Sequence, residues 1–187
     1  MELKSDEWDQ KVVELARVTR VTKGGKRMRF RACVLVGNRK GQVGLGVAKG
    51  ADVSMAVNKA TNQAQKRIID VPIVGDSTIP HRITQKFGAS IIMLKPAPKG
   101  SGIIAGGVVR LVLELAGVEN VVSKTLGAKN KINNCKATLD ALVKLNLLKD
   151  KVVAKLSKKA KPVVQPGLEK NPAGASGLAS AEAFPKG

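Results

Sequence analysis

The sequence predicts an α+β fold made of two small units, and three observations predict it. Met28, Phe30, Ala32, Val34 and Val36 alternate with Arg27, Arg29 and Arg31, the two-residue period of a strand. Val43, Leu45 and Val47 then alternate with Gly44, Gly46 and Ala48, and from Val53 the apolar spacing changes to that of a helix. After the join Val71-Pro72-Ile73-Val74-Gly75-Asp76, strand-like and helix-like segments begin again.

Taken in order, residues 1–10 are expected to be a flexible tail. Residues 11–74 form the first unit, residues 75–150 a C-terminal α+β unit, and residues 151–187 a basic, then Ala/Gly/Pro-rich disordered tail. Lys11 to Thr22 is Val-rich and reads as a strand. Lys23-Gly24-Gly25-Lys26 turns it into the alternating strand, and Gly37-Asn38-Arg39-Lys40-Gly41 makes a second turn. The glycine-bearing strand presents a bare face, so another backbone or an RNA must pack closely on it. Asp52 is placed to cap a helix whose stripe is Val53, Val57, Ala60, Ala64 and Ile68. The first unit is thus β-β-β-α.

In the second unit, Thr78–Lys86 and Ala89–Pro96 read as strands, and residues 95–107 as a Pro/Gly-rich loop. Val108–Ala116 is apolar almost all round, a buried helix stopped by Gly117. Glu119–Leu126 reads as a short strand. Ile132–Leu145 reads as an amphipathic helix with Ile132, Cys135, Leu139 and Leu142 inward. Lys151, Lys155, Lys158, Lys159 and Lys161 are either a solvated helix end or an RNA-seeking run.

Charge narrows the function. The chain carries 33 Lys+Arg against 14 Asp+Glu, a formal net charge of +19. A charge that large repels itself unless a polyanion offsets it. Taken alone, the arginine strand fits a solvated hairpin rim as well as an anion platform; the charge of the whole chain favours the platform. Aromatic residues are 2% of the chain and tyrosine is absent, so bases have little to stack on. The partner is then held by phosphates and shape, which points to structured RNA or duplex DNA.

Other chemistries are poorly supplied. His81 is the single histidine, and Cys33 and Cys135 are far apart in sequence. They are expected to be reduced, buried small hydrophobes rather than metal ligands. Gly44-x-Gly46 does not continue into a dinucleotide fingerprint, because Lys49 stands where the third glycine belongs. Pro98-Lys99-Gly100-Ser101-Gly102-Ile103-Ile104-Ala105-Gly106-Gly107 opens a helix and is similar to the phosphate loop of small-molecule kinases. Phosphoryl transfer also needs a base and a metal-holding carboxylate. The sparse acids Asp76, Glu114, Glu119 and Asp140 offer no such pair, and Glu114 is expected to pair with Arg110 one turn earlier. No catalytic residue and no cofactor are assigned. The polar N-terminus and the lack of a long apolar run lead us to expect no membrane span and no secretory signal.

The ordered set Lys23-Gly24-Gly25-Lys26-Arg27-Met28-Arg29-Phe30, Val36-Gly37-Asn38, Gly41-Gln42-Val43-Gly44-Leu45-Gly46, Gly100–Gly107, Leu113–Val121 and Ala137-Thr138-Leu139-Asp140 resembles one family. It is the universal small-subunit ribosomal protein family numbered five, in its bacterial form. The likeness runs from about residue 11 to residue 148. It implies a first domain like a double-stranded-RNA-binding fold and a second with a left-handed β-α-β crossover. It implies that Lys23, Gly24, Gly25, Lys26 and Arg27, with Arg29 and Arg31 behind them, meet 16S-type ribosomal RNA near the neck and head, beside the spectinomycin site. Gly102 and Arg110 match positions at the boundary with the ribosomal protein numbered four, a contact tied to decoding accuracy. The resemblance further implies contact with the protein numbered eight, a place lining the channel by which messenger RNA enters, a cytoplasmic location in the ribosome, no small-molecule substrate and no enzymatic activity. The family usually has an aromatic residue where Leu45 stands and a proline where Ser54 stands. Two rival readings remain at this point: a small-molecule kinase built on the second unit, and a DNA-architectural protein.

Overall fold

The computed structural model describes residues 8–75 and 77–159, with 147–159 as helical backbone. Of the tail expected over residues 1–10, residues 1–7 lie outside the described residues, whereas Asp9 and Gln10 already belong to the first strand, paired with Gly37 and Val36. Asp76, the Ala/Gly/Pro-rich stretch from 160 to 187 and the side chains of the basic run at Lys151–Lys159 also lie outside them.

Strands β1 (Asp9–Thr22), β2 (Gly25–Gly37), β3 (Gln42–Gly50) and β4 (Ile68–Asp70) form an antiparallel sheet in the order β1-β2-β3-β4. Helix α1 (Val53–Gln65) covers one face. The second sheet has the order β5-β6-β8-β7, from β5 (Ile83–Phe87), β6 (Ser90–Pro96), β7 (Ile103–Ile104) and β8 (Val121–Thr125). Only the β7–β8 pair is parallel, joined through α2 (Gly107–Ala116). Helix α3 (Lys131–Lys159) follows β8.

The two sheets lie on either side of α2 and α3, which touch strands of both. This placement explains why α2 is apolar almost all round. Val109, Val112, Leu113, Leu115 and Ala116 have neighbours in every direction. One cluster joins Cys33, Leu35, Val43 and Leu45 of the first sheet to Val112, Leu115, Cys135 and Leu142 of the second unit. The β2–β3 turn also bonds to the end of α2: the Arg39 N–H donates to Leu115 O and the Gly41 N–H to Ala116 O, both at 2.9 Å. These bonds satisfy carbonyls that a helix end leaves open. Gly117, at φ 80°, closes α2 in the left-handed conformation that the sequence anticipates.

The bare glycine face of β3 is filled by helix backbone. A side chain at Gly44 would strike the Ala64 carbonyl, one at Gly46 the Ala60 carbonyl, and one at Gly50 the Ala56 N–H. The close approach selects small residues on both sides. The buried stripe of α1 is therefore Ala56, Ala60 and Ala64, whereas Val53 of the expected stripe is exposed and Ile68 has left the helix for β4.

Three further boundaries differ from expectation. β5 starts at Ile83 rather than Thr78, since Pro80 has no N–H to give a ladder. Thr78 instead bridges to Val74, and its hydroxyl donates to Asn120 O at 2.6 Å. The short strand β7 lies inside the stretch expected to be loop. Helix α3 continues well past Leu145, because residues 146–159 contain neither glycine nor proline to stop it.

Candidate nucleic-acid interface

β3 pairs with β2 only as far as Phe30, which stands opposite Gly50. Beyond that point β1 and β2 continue alone as a two-stranded ribbon, closed where Thr22 faces Gly25. Thr19 through Arg29 are all exposed. The Thr22 hydroxyl donates to Gly25 O at 3.1 Å across the turn. Gly25 has φ 139°, a conformation open to glycine and strained for other residues. No atom lies within 4 Å of where a side chain at Gly24 or Gly25 would begin, so both present open backbone.

The arginines expected on one face are there, and the register adds partners. Residues directly opposite in an antiparallel pair point to the same side. Arg27 faces Arg20, Arg29 faces Val18, and Arg31 faces Ala16 on one side and Lys49 of β3 on the other. Arg20, Arg27, Arg29 and Lys49 line a cleft of about 330 Å³. Among the described residues none of these four has a carboxylate partner; Arg31 does, in Glu14 at 3.4 Å. The sequence reading missed Arg20 and Lys49. The alternation of β1 carries a signal for Arg20, since Val18 and Arg20 continue its face. Lys49 joins only through the register of the third strand.

The same face of β2 changes character along its length. Arg27, Arg29 and Arg31 are followed on that face by Cys33 and Leu35, which are buried against α2 and α3. The apolar face behaves in the opposite sense. Met28 is 56% exposed and Val21 is 72% exposed, while Phe30 packs toward α1 and Ala32, Val34 and Val36 are buried beneath it. The strand is therefore two-sided core at one end and a cationic arm at the other.

Gly102 and Arg110 lie near the start of α2. Asn120 Oδ1 accepts the N–H groups of Gly100 at 3.1 Å and Gly102 at 3.2 Å, fixing the loop. Gly102 has φ 66° and open space beside it. Arg110 is exposed and lines a separate cleft with Lys124. Its expected pairing with Glu114 does not form. Glu114 Oε2 instead accepts from Lys11 Nζ at 2.7 Å, tying β1 to α2. The helix turns Glu114 toward the first sheet, where β1 brings the lysine.

Cys33 and Cys135 are brought together across the two units, both buried and free. The Cys135 thiol donates a hydrogen bond to Cys33, and that bond with burial pushes its pKa well up. Among the described residues no cluster of three His, Cys, Asp or Glu could hold a metal, and no helix is long and apolar enough to cross a membrane.

Comparison with known proteins agrees along the chain. Residues 8–72 match the family model described as ribosomal protein S5, N-terminal domain, and residues 85–156 that described as ribosomal protein S5, C-terminal domain. The small ribosomal subunit protein uS5c of Cyanidium caldarium is 50% identical over 139 residues, 74% of this chain and 83% of that protein. The uS5 protein of Synechococcus elongatus is 49% identical over 147 residues, 79% of this chain and 82% of its own. The uS5c protein of Rhodomonas salina is 50% identical over 142 residues, 76% of this chain and 84% of its own. With both domains matched in order and about half the residues shared, the chain belongs to the ribosomal protein S5 family.

Proposed function

We propose that this protein is a structural constituent of the small ribosomal subunit that holds small-subunit ribosomal RNA through its β1–β2 arm. It is not an enzyme: the S5 relatives are ribosomal proteins. The observation that carries the RNA reading is the placement of Arg20 directly across from Arg27, with Arg29 and Lys49 in the same cleft. Like charges opposed across a ribbon are unfavourable in the free protein, and a row of phosphates relieves them.

The arm works by charge and reach. Lys23, Lys26, Arg27 and Arg29 neutralise phosphates, and each neutralised phosphate releases counterions. Gly24 and Gly25 let the RNA come up to the backbone itself. The rigid body behind the arm, with the first sheet clamped between α1 and the second unit, keeps its direction fixed. The surface at Gly102 and Arg110 faces the neighbouring ribosomal protein numbered four and affects decoding accuracy. Contact with the protein numbered eight, proximity to entering messenger RNA and to the spectinomycin site, and residence in the cytoplasmic ribosome complete the reading.

Sucrose-gradient sedimentation of a lysate at low and high salt tests it. Stoichiometric migration with the small subunit that persists in high salt is the expected result. Migration as free protein, or with DNA, would overturn it.

A further inference from the structure

We propose that Cys33 and Cys135 form a redox clip, joined by a hydroperoxide in a disulfide that fastens β2 of the first unit to α3 of the second. They are the chain's two cysteines, so no other thiol in the chain competes for either. Far apart in sequence, they are brought into contact by the fold. Cys33 lies on the inward face of β2, between Glu14 of β1 and Val47 of β3. Cys135 lies in the first turns of α3. Both are free thiols in one apolar cluster with Leu35, Leu115 and Leu142, at 1% and 0% exposure. The hydrogen bond from the Cys135 thiol to the Cys33 sulfur sets the two reacting atoms against each other.

The surroundings give the two sulfurs different parts. The bond from Cys135 holds the Cys33 thiol below the ordinary thiol range; Arg31 and Lys136 help, while burial and Glu14 oppose. Cys33 is therefore the sulfur that more readily becomes a thiolate, the reactive form. The same bond and burial push Cys135 the other way, so it keeps its proton. A thiolate with a second thiol beside it carries a sulfenic acid on to a disulfide before it reaches the irreversible acids. The step balances. The Cys33 thiolate attacks one peroxide oxygen, the O–O bond breaks, and hydroxide leaves with Cys33 as a sulfenic acid. The Cys135 sulfur then attacks that sulfur and expels its oxygen as water, taking the Cys135 proton. The hydroxide takes up the proton that Cys33 lost. The two thiols are oxidised by two electrons, and hydrogen peroxide is reduced to two waters.

A cleft of about 450 Å³ lies next to the pair. Its lining includes Val47, directly across β2–β3 from Cys33, with Lys136 and Leu139, beside Cys135 and one turn beyond it. The thiols lie behind this lining, so the oxidant reaches them when the elements around the cleft open locally, not in the closed fold. That gate selects a small oxidant and keeps the pair reduced while peroxide is scarce. The new bond closes roughly a hundred residues of chain, a loop length at which a crosslink strongly constrains the unfolded state. Oxidation fixes the strand that carries the arm to the second unit, since β2 holds both Cys33 and the arginines. A thiol reductant releases it.

The test treats the native full chain with hydrogen peroxide, removes the oxidant, unfolds the protein in an alkylating agent and maps its peptides without reductant. The expected product is lighter by two hydrogens before alkylation and holds the Cys33 peptide joined to the Cys135 peptide. Its melting temperature should rise by about 10 °C and fall back on adding dithiothreitol. Cys135→Ala should lose both the crosslink and the rise, and leave Cys33 to go on to sulfinic acid. If that variant does not fold, the peptide map of the unaltered chain decides. Four results overturn the proposal: both thiols still alkylated, crosslinks only between two copies of the chain, a link that forms only in denaturant, or a crosslinked protein that melts no higher than the reduced one. Failure here leaves the arm's reading of RNA untouched.

Discussion

Arg20 and Arg27 stand directly across from each other in the β1–β2 ribbon, on the face that also carries Arg29. Two guanidinium groups in register, with no carboxylate partner among the described residues, raise the energy of the free arm. Replacing one by an acid should reverse the sign of this pair. Arg20→Glu is expected to raise the melting temperature of the isolated protein at low salt. The gain should disappear near 1 M salt, where the screening length is about 3 Å. A thermal melt at the two ionic strengths checks this. The same variant should bind ribosomal RNA less tightly.

The two turn glycines separate fold from contact. Gly25 needs its φ of 139°, whereas Gly24 does not stand at positive φ and has free space around it. Gly25→Ala should destabilise the hairpin by about 1–3 kcal/mol. Gly24→Ala should leave the melting temperature unchanged yet lower RNA affinity, because in the proposed contact its methyl group would come between the RNA and the backbone. Binding and melting curves on the same preparations distinguish the two effects.

The shared core predicts one unfolding transition. Leu35 on β2 is fully buried in the cluster that includes Leu115 and Cys135 of the second unit. Leu35→Ala should cost about 2–5 kcal/mol and lower the stability of both halves together. Hydrogen exchange that speeds up equally in β3 and in β6 is the expected result. Gly46→Ala should also be severe, since its methyl group collides with the Ala60 carbonyl. By contrast, Lys11→Ala removes a half-exposed ion pair and should change stability by no more than about 1 kcal/mol.

For decoding accuracy, Arg110→Leu is the cleaner probe. Gly102 has φ 66°, so any replacement there strains the loop as well as changing the surface. Arg110 is exposed and unpaired among the described residues. Arg110→Leu should leave the melting temperature within about 0.5 kcal/mol equivalent while changing stop-codon readthrough in assembled subunits. Unchanged readthrough would contradict the interface role.

Much of the first unit was legible because its signals are local. The period-two runs at Val43–Ala48 and Met28–Val36 stand in the chain as written, and so does Gly117 as a helix stop. What escaped depends on register and on tertiary neighbours. Lys49 reaches the arginine face only because Phe30 pairs with Gly50. The stripe of α1 moved to Ala56, Ala60 and Ala64 because glycines opposite demand alanine, a rule that spans two elements. Glu114 found Lys11 rather than Arg110 because the packing of α2 on β1 brings residues 103 positions apart together. β7 is two residues long and carries no periodicity to detect. Among the site residues, Arg27, Arg29 and Arg31 could be read from alternation, but neither the open end of the ribbon that exposes Arg27 and Arg29 nor the pairing of the half-buried Arg31 with Glu14 could.

The most direct test of the account is the salt dependence of RNA binding. The dissociation constant of the full chain for a folded small-subunit ribosomal RNA fragment would be measured between about 50 mM and about 200 mM salt, beside Arg20→Ala/Arg27→Ala. The account predicts weaker binding by the variant and a logarithmic salt slope shallower by about two. An unchanged slope in a folded variant would show that the arm does not hold phosphates, and would contradict the account.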